Sequence, residues 1–123
     1  MNMTANQYQK QLDTDGELAI AVERAEQECR EKLLNLERWH YPEKVRPWAV
    51  KWQHAGEQDV TEALYDLCHD ELALALSLLD TDALEAVRIL KECRSKAVED
   101  VLGRMDFEAI TKLIIEESKR DAA

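Results

Sequence analysis

Apolar residues recur every three or four positions along most of this chain, which is the spacing of one face of an α-helix. A helix is therefore predicted from about residue 15 to His40, where Pro42 is expected to end it. A short helix over residues 5–12 is predicted before it, because "DTDGEL" interrupts the pattern and Thr14 with Glu17 forms a capping box. The apolar stripe of the longer helix comprises Leu18, Val22, Ala25, Cys29, Leu33 and Leu36.

A second broad apolar side predicts a helix from Asp59, taken as its N-cap, to Leu79. Its end, "LALALSLL", is apolar nearly all round, so we expect this helix to be the most buried one. Two more helices are predicted from "DTDALEAV" to Gly103 and from "MDFEAI" towards the end of the chain. Their predicted inward residues are Leu84, Val87, Leu90, Ala97, Val98, Val101, Phe107, Ile110, Leu113 and Ile114.

The stretch "RWHYPEKVRPWAVKWQH", residues 38–54, holds all three tryptophans, both prolines and two of the three histidines. Pro47 is predicted to lie in the first turn of a short helix that runs through Ala55 and is closed by Gly56. In such a helix Trp48 and Trp52 share a face.

Few residues of this chain favour tight turns, since it contains three Gly and two Pro among 123 residues. The fold predicted from these patterns is all-α, an irregular bundle of five or six helices. We expect one helical domain over residues 1–123, with residues 1–13 and 118–123 frayed.

The overall charge limits the classes of partner. A net charge of −10 repels nucleic acid and anionic membranes, so direct nucleic-acid binding is disfavoured, no membrane partner is expected, and a basic protein is the natural counterpart. The three cysteines, Cys29, Cys68 and Cys93, are widely spaced and lie at apolar helix positions, which predicts reduced core residues. With no signal peptide at the start of this sequence, we expect a cytoplasmic protein.

The charge is unevenly distributed. From Trp52 to Val87 there are nine acidic residues and no Lys or Arg, whereas residues 38–54 carry four cations against Glu43. Helix caps and a solvated helix face can account for such acids. The alternative is an acidic ridge that docks a basic groove of a partner or imitates a phosphate backbone. Its predicted residues are Glu62, Asp66, Asp70 and Glu71.

Cations and aromatic rings lie side by side in residues 38–54. One interpretation is that the tryptophans close the end of the core. A second is single-stranded nucleic-acid binding, in which bases stack on the rings. A third is that this aromatic-basic corner, Arg46, Trp48, Lys51 and Trp52, contacts a partner protein, with Trp48 and Arg46 as anchors.

Candidate chemistry is sparse. Glu37 with His40 and Asp66 with His69 show the carboxylate-x-x-His spacing of helical di-metal sites, but two such pairs arise easily by chance among 26 acids, and no further ligands can be identified. No phosphate loop, zinc-protease motif or nucleophile elbow is present. The sequence therefore predicts no catalytic residue, no metal site and no cofactor.

These observations favour a small, non-enzymatic protein-binding module. An inhibitor or adaptor would occlude a basic surface of a larger partner, as small acidic phage inhibitors and immunity proteins do; the likeness is one of physical type. The alternative is a self-associating scaffolding protein whose stripe over residues 18–36 pairs with its own copy in a homodimer, although Lys32 interrupts a strict heptad. The third hypothesis is a helical-bundle di-metal protein.

Overall fold

Five helices and one β-hairpin make up the part of this protein that a computed structural model describes, residues 5–122, with side chains described for residues 16–120. Fraying of the two ends stays a prediction, and residues 1–4 and 123 lie outside the described part. The elements are α1 (Ala5–Leu34), β1 (Trp39–Arg46), β2 (Ala49–Ala55), α2 (Glu57–Leu67), α3 (His69–Leu78), α4 (Ala83–Gly103) and α5 (Phe107–Ala122).

The first two predicted helices are one continuous helix, α1, which passes through Gly16 without a break. It ends at Leu34 rather than at His40. The Leu36 amide donates to the Leu33 carbonyl at 3.0 Å and the Glu37 amide to the Lys32 carbonyl at 2.8 Å, which is the hydrogen-bond pattern of a Schellman motif. Leu36 occupies the left-handed position of that motif with a φ of 57°, a position that glycine usually fills.

The segment predicted as a helix end and a short helix is an antiparallel β-hairpin. Trp39 pairs with Ala55 and Pro42 with Trp52, and the register shifts between Lys44 and Arg46 just before the two-residue connection Pro47–Trp48. Aromatic and β-branched residues in this stretch favour an extended backbone, and this preference, together with packing against the helices, overrides the helix signal taken from Pro47. The all-α prediction is therefore wrong in this segment: the fold is mostly helical with a small sheet.

The predicted helix 59–79 is two helices that meet at Cys68, whose φ of −125° and ψ of 25° are not helical. Gly56, not Asp59, is the N-cap of α2, and the Asp59 carboxylate accepts a hydrogen bond from the Gly56 amide at 2.9 Å. The most buried helix is α4, which packs against α1, α2 and α3. In α3 the described buried residue is Ala75, so the prediction that this apolar segment is the centre of the fold is wrong.

The core forms where α4 meets its neighbours. Ala97, Val98 and Val101 of α4 are buried, as predicted, together with Phe107 and Ile110 of α5. The predicted inward positions at the start of α4 are wrong, since Leu84, Val87 and Leu90 are exposed. The reason is that α1 covers the second half of α4, where Cys29 and Leu33 share one buried cluster with Val98 and Arg30 pairs with Glu99. The first half of α4 is left open on one side.

No helix within residues 5–122 has both the length and the apolar character needed to cross a bilayer.

Candidate functional surfaces

The residues of the predicted acidic ridge lie on two helices. Glu62 and Asp66 are one helical turn apart on α2, and both are exposed. Asp70 and Glu71 lie in the first turn of α3, after the break at Cys68. The ridge is therefore not one straight row, and Glu71 is half-buried whereas the other three are exposed.

Helix position explains only part of this acidity. Asp70 and Glu71 in the first turn of α3, like Glu57 and Asp59 in the first turn of α2, interact favourably with the positive end of the helix dipole. Glu62 and Asp66 lie beyond the first turn of α2, where this stabilisation has faded. The helix dipole therefore does not account for acidic residues at these two positions.

Several acids on the other helices have cationic partners one turn away. On α4 and α5, Glu92 pairs with Arg88 at 2.6 Å and Glu108 with Lys112 at 3.2 Å. Among residues 16–120, in contrast, no Lys or Arg lies within 4.0 Å of the carboxylates of Glu57, Asp59, Glu62, Asp66, Asp70 and Glu71. The outer side of α2 and the start of α3 thus form a surface of uncompensated negative charge, which we call the acidic face.

A polar cleft of about 680 Å³ borders the acidic face. Asp59 and Glu62 line it from α2, and Arg38, His54 and Tyr65 line it from the hairpin base and the end of α2. Nothing in the sequence indicates that Arg38 and His54 lie at this surface, because only the hairpin brings them beside α2. Arg38 places one cation at the edge of the acidic face.

The aromatic-basic corner lies at the loop end of the hairpin. Arg46 ends β1, Trp48 lies in the connection, and Lys51 and Trp52 are on β2. Trp48 is 72% exposed and Trp52 is 55% exposed. The hairpin therefore brings all four predicted residues to the surface, although through a β-turn rather than along one face of a helix.

Trp39 is the one tryptophan that closes the core. It is 4% exposed, and its ring centroid lies 5.6 Å from that of Phe107 and 5.8 Å from that of Tyr41. The interpretation that the tryptophans close the end of the core is therefore wrong for Trp48 and Trp52. Trp48 and Trp52 instead remain exposed to water, where large aromatic side chains are available as interface anchors.

The described residues do not assemble the helical metal-site geometry. Glu37 lies between α1 and β1 and His40 is on a strand, so this pair does not lie on a helix. Within the described part of the chain, no three His, Cys, Asp or Glu side chains are grouped so that they could hold a metal ion.

The thiols are poor nucleophiles for a physical reason. All three cysteines are buried and unbridged. Burial raises the pKa of the Cys29 thiol to about 12 and that of the Cys93 thiol to about 11, so both remain protonated at neutral pH. Cys68 donates weakly to the Cys93 carbonyl oxygen at 4.0 Å.

An exposed apolar surface lies on the α3–α4 pair. Cys68 at the start of α3 meets Cys93 in the middle of α4, so the two helices are antiparallel. In an antiparallel helix pair, the residue that follows a core position on one helix points to the same side of the pair as the residue that follows a core position on the other helix. The core positions here are Ala75 and Leu78 on α3 and Ala86 and Ile89 on α4. These residues form what we call the leucine face: Leu76, Leu79, Val87 and Leu90, which are 68%, 48%, 44% and 39% exposed.

No family model, curated protein or solved structure matches this chain.

Proposed function

We propose that this protein is a small, non-enzymatic binding module, an inhibitor or adaptor that docks its acidic face on a basic surface of a larger protein in the cytoplasm. The observation that carries the proposal is the lack of cationic partners for Glu62 and Asp66 within residues 16–120. Carboxylates four residues apart on a helix repel each other. Among residues 16–120 no Arg or Lys lies close enough to relieve the repulsion between Glu62 and Asp66, whereas Arg88 pairs with both Glu85 and Glu92 on α4. A basic partner would supply the missing charges.

The mechanism is occlusion. The acidic face would steer a basic partner into contact and then cover its cationic groove, including one that normally holds nucleic acid. The aromatic-basic corner offers a second contact, since exposed Trp and Arg side chains are frequent anchors at protein interfaces. Two oppositely charged surfaces on one small fold suit an adaptor as well as an inhibitor.

Affinity capture from a nuclease-treated lysate tests the proposal. Wild type is compared with a triple variant, Glu62→Ala, Asp66→Ala and Asp70→Ala. A matched control, Glu23→Ala, Glu31→Ala and Glu37→Ala, removes three exposed acids outside the acidic face. A stoichiometric basic protein that is retained by wild type and control but lost with the triple variant is the expected result. Equal capture by all three proteins contradicts the proposal.

Self-association is the second candidate function, and the leucine face favours it. The stripe of α1 expected to pair with its own copy is used inside the chain, where Cys29 and Leu33 are fully buried. Leu76 and Val87 instead offer an exposed apolar surface for a helical dimer. Light scattering over a range of protein concentrations, with Leu76→Ser and Val87→Ser, separates this function from the first. A dimer that the two substitutions dissociate supports it, and a monomer at all concentrations rejects it.

A further inference from the structure

The outer edge of β2 is unpaired. Within the described part of the chain the sheet has two strands, and residues 49–55 make no backbone hydrogen bond outside their pairing with β1. The contacts of the hairpin with α5 and α1 are made mainly by β1. β2 therefore presents a row of free amides and carbonyls to its surroundings, which is a template for another strand.

A cleft adjoins this strand. It has a volume of about 650 Å³ and lies between α1, α5 and the hairpin. Ile20, Ile115 and Trp52 form apolar walls, Thr111 also lines the cleft, and the charged lining residues are Glu17, Arg24 and Glu28. The Thr111 hydroxyl is buried and has no hydrogen-bond partner among the described residues. The cleft provides space for apolar side chains on the face of the sheet that carries Trp52.

Three cations of the hairpin have no ion pair. No carboxylate lies within 4.0 Å of the Lys44, Arg46 or Lys51 side chains in the part of the chain that the structure describes. Lys51 faces Glu43 across the strands without forming an ion pair. In the strand register, Arg46 lies opposite Ala49 and shares a face with Lys51, whereas Lys44 lies opposite Val50 on the face of Trp52. A segment along β2 therefore meets Arg46 and Lys51 on one face and gains most if it carries acidic residues on that face.

We propose that the hairpin binds an extended acidic segment of a partner protein, which adds to β2 as a third strand. Its acidic side chains would pair with Arg46 and Lys51 on one face of the sheet, and its alternate apolar side chains would enter the cleft beside Trp52 on the other. The inference deepens the role given above to the aromatic-basic corner. Its test does not involve the acidic face, so this proposal can fail while the docking of the acidic face holds, and the docking can fail while this proposal holds.

Two other occupants fit the observations less well. A second copy that paired through β2 would bring two Lys51 side chains together, and lysine on an edge strand normally discourages such pairing. A nucleic acid would use the rings and cations but not the free backbone edge, and every phosphate would be repelled by the net charge of −10. A short acidic peptide carries few negative charges, and its backbone can pair with the free edge of β2.

Titration of the full chain with a capped peptide of about eight alternating Val and Glu residues tests this site, with tryptophan fluorescence as the signal. The same peptide with N-methylated amides on its pairing edge cannot extend the sheet. Among protein variants, Arg46→Glu with Lys51→Glu reverses the local charge. Lys91→Glu with Lys96→Glu is the matched control at two exposed lysines on α4.

The expected result is saturable binding that the charge reversal weakens by about tenfold or more, that the control retains, and that N-methylation abolishes. Absence of binding, or equal binding of the N-methylated peptide, overturns the proposal. So does tighter binding of an oligothymidylate than of the peptide, which would assign the corner to nucleic acid. A β2-dependent dimer in light scattering would assign the edge to a second copy.

Discussion

Arg30 on α1 forms a bidentate ion pair with Glu99 on α4, with Nε 2.6 Å from Oε1 and Nη2 3.2 Å from Oε2. Sixty-nine positions separate the two residues. Among described residues this is the ion pair that joins two different elements, since the others join residues on one helix or neighbouring positions. It fixes the register of α1 on α4 beside the buried contacts of Cys29 and Leu33.

This pair makes stability depend on pH. The Arg30 side chain lowers the pKa of the Glu99 carboxyl below its usual value. The stabilisation is therefore complete above the unfolded pKa of Glu, about 4.3, and is lost as the pH falls through the lower folded pKa. Because the pair is largely solvated, Glu99→Gln should cost only about 0.5 kcal/mol at pH 7. Urea unfolding at pH 7 and pH 3 checks this, and a difference between wild type and variant that persists undiminished at pH 3 contradicts it.

Two leucines test the observed core. Leu33→Ala should lower the free energy of unfolding by about 2–4 kcal/mol, because Leu33 is fully buried and the substitution leaves a cavity. Leu84→Ala should change it by less than about 0.5 kcal/mol, because Leu84 is 86% exposed. Urea denaturation measures both. Similar losses at the two positions would mean that Leu84 packs inside the fold, as its spacing in the sequence suggested.

The three tryptophans should differ sharply in their response to quenchers and to substitution. Iodide should quench Trp48 and Trp52 and leave Trp39 protected. Trp39→Ala should cost about 3–5 kcal/mol through lost packing, whereas Trp48→Ala should leave stability within about 0.5 kcal/mol. Fluorescence of single-tryptophan variants reports the quenching. Equal protection of Trp48 and Trp39 would contradict the hairpin.

The sequence sufficed to predict that α4 and α5 are helices, because both carry apolar residues at helical spacing. The start of α4 is also marked by its cap, since the Asp82 carboxylate accepts a hydrogen bond from the Glu85 amide at 3.2 Å. The breaks were harder to predict. α1 ends at Leu34, and Leu36 beyond it takes a conformation normally marked by glycine. α2 ends at Leu67, although Cys68 sterically could continue a helix. In both places tertiary packing, which no local pattern records, decides the boundary.

The residue types of the hairpin favour strands, but its two prolines also fit helix boundaries. Trp39, Tyr41, Val50 and Trp52 are residues that strands favour, yet Pro42 and Pro47 also mark helix ends and helix starts. The residues of the aromatic-basic corner were predictable, because residue type indicates the chemistry of an interface. Their backbone conformation was not, because residue type does not specify whether a helix or a strand carries them. The sequence shows that no Lys or Arg lies one turn from Glu62 or Asp66. Whether another element brings a cation to them emerges only from the folded structure, because it depends on which elements are neighbours.

The cysteines should be inert in the native protein. Burial, which raises the pKa values of Cys29 and Cys93 to about 12 and about 11, also blocks access to all three sulfurs. At pH 8 a thiol reagent such as dithionitrobenzoate should react with none of them within minutes, and with all three in denaturant. Rapid reaction of a native thiol would place that cysteine at the surface.

The most direct test of the central claim is the affinity of the captured partner for three proteins at low and high salt: wild type, the Glu62, Asp66, Asp70 triple-alanine variant, and the Glu23, Glu31, Glu37 control. Calorimetry gives each dissociation constant. If the acidic face is the docking surface, the triple variant binds at least about tenfold more weakly, the control binds like wild type, and high salt reduces the difference between wild type and the triple variant. Equal affinities for all three proteins would show that these acids form only a solvated surface.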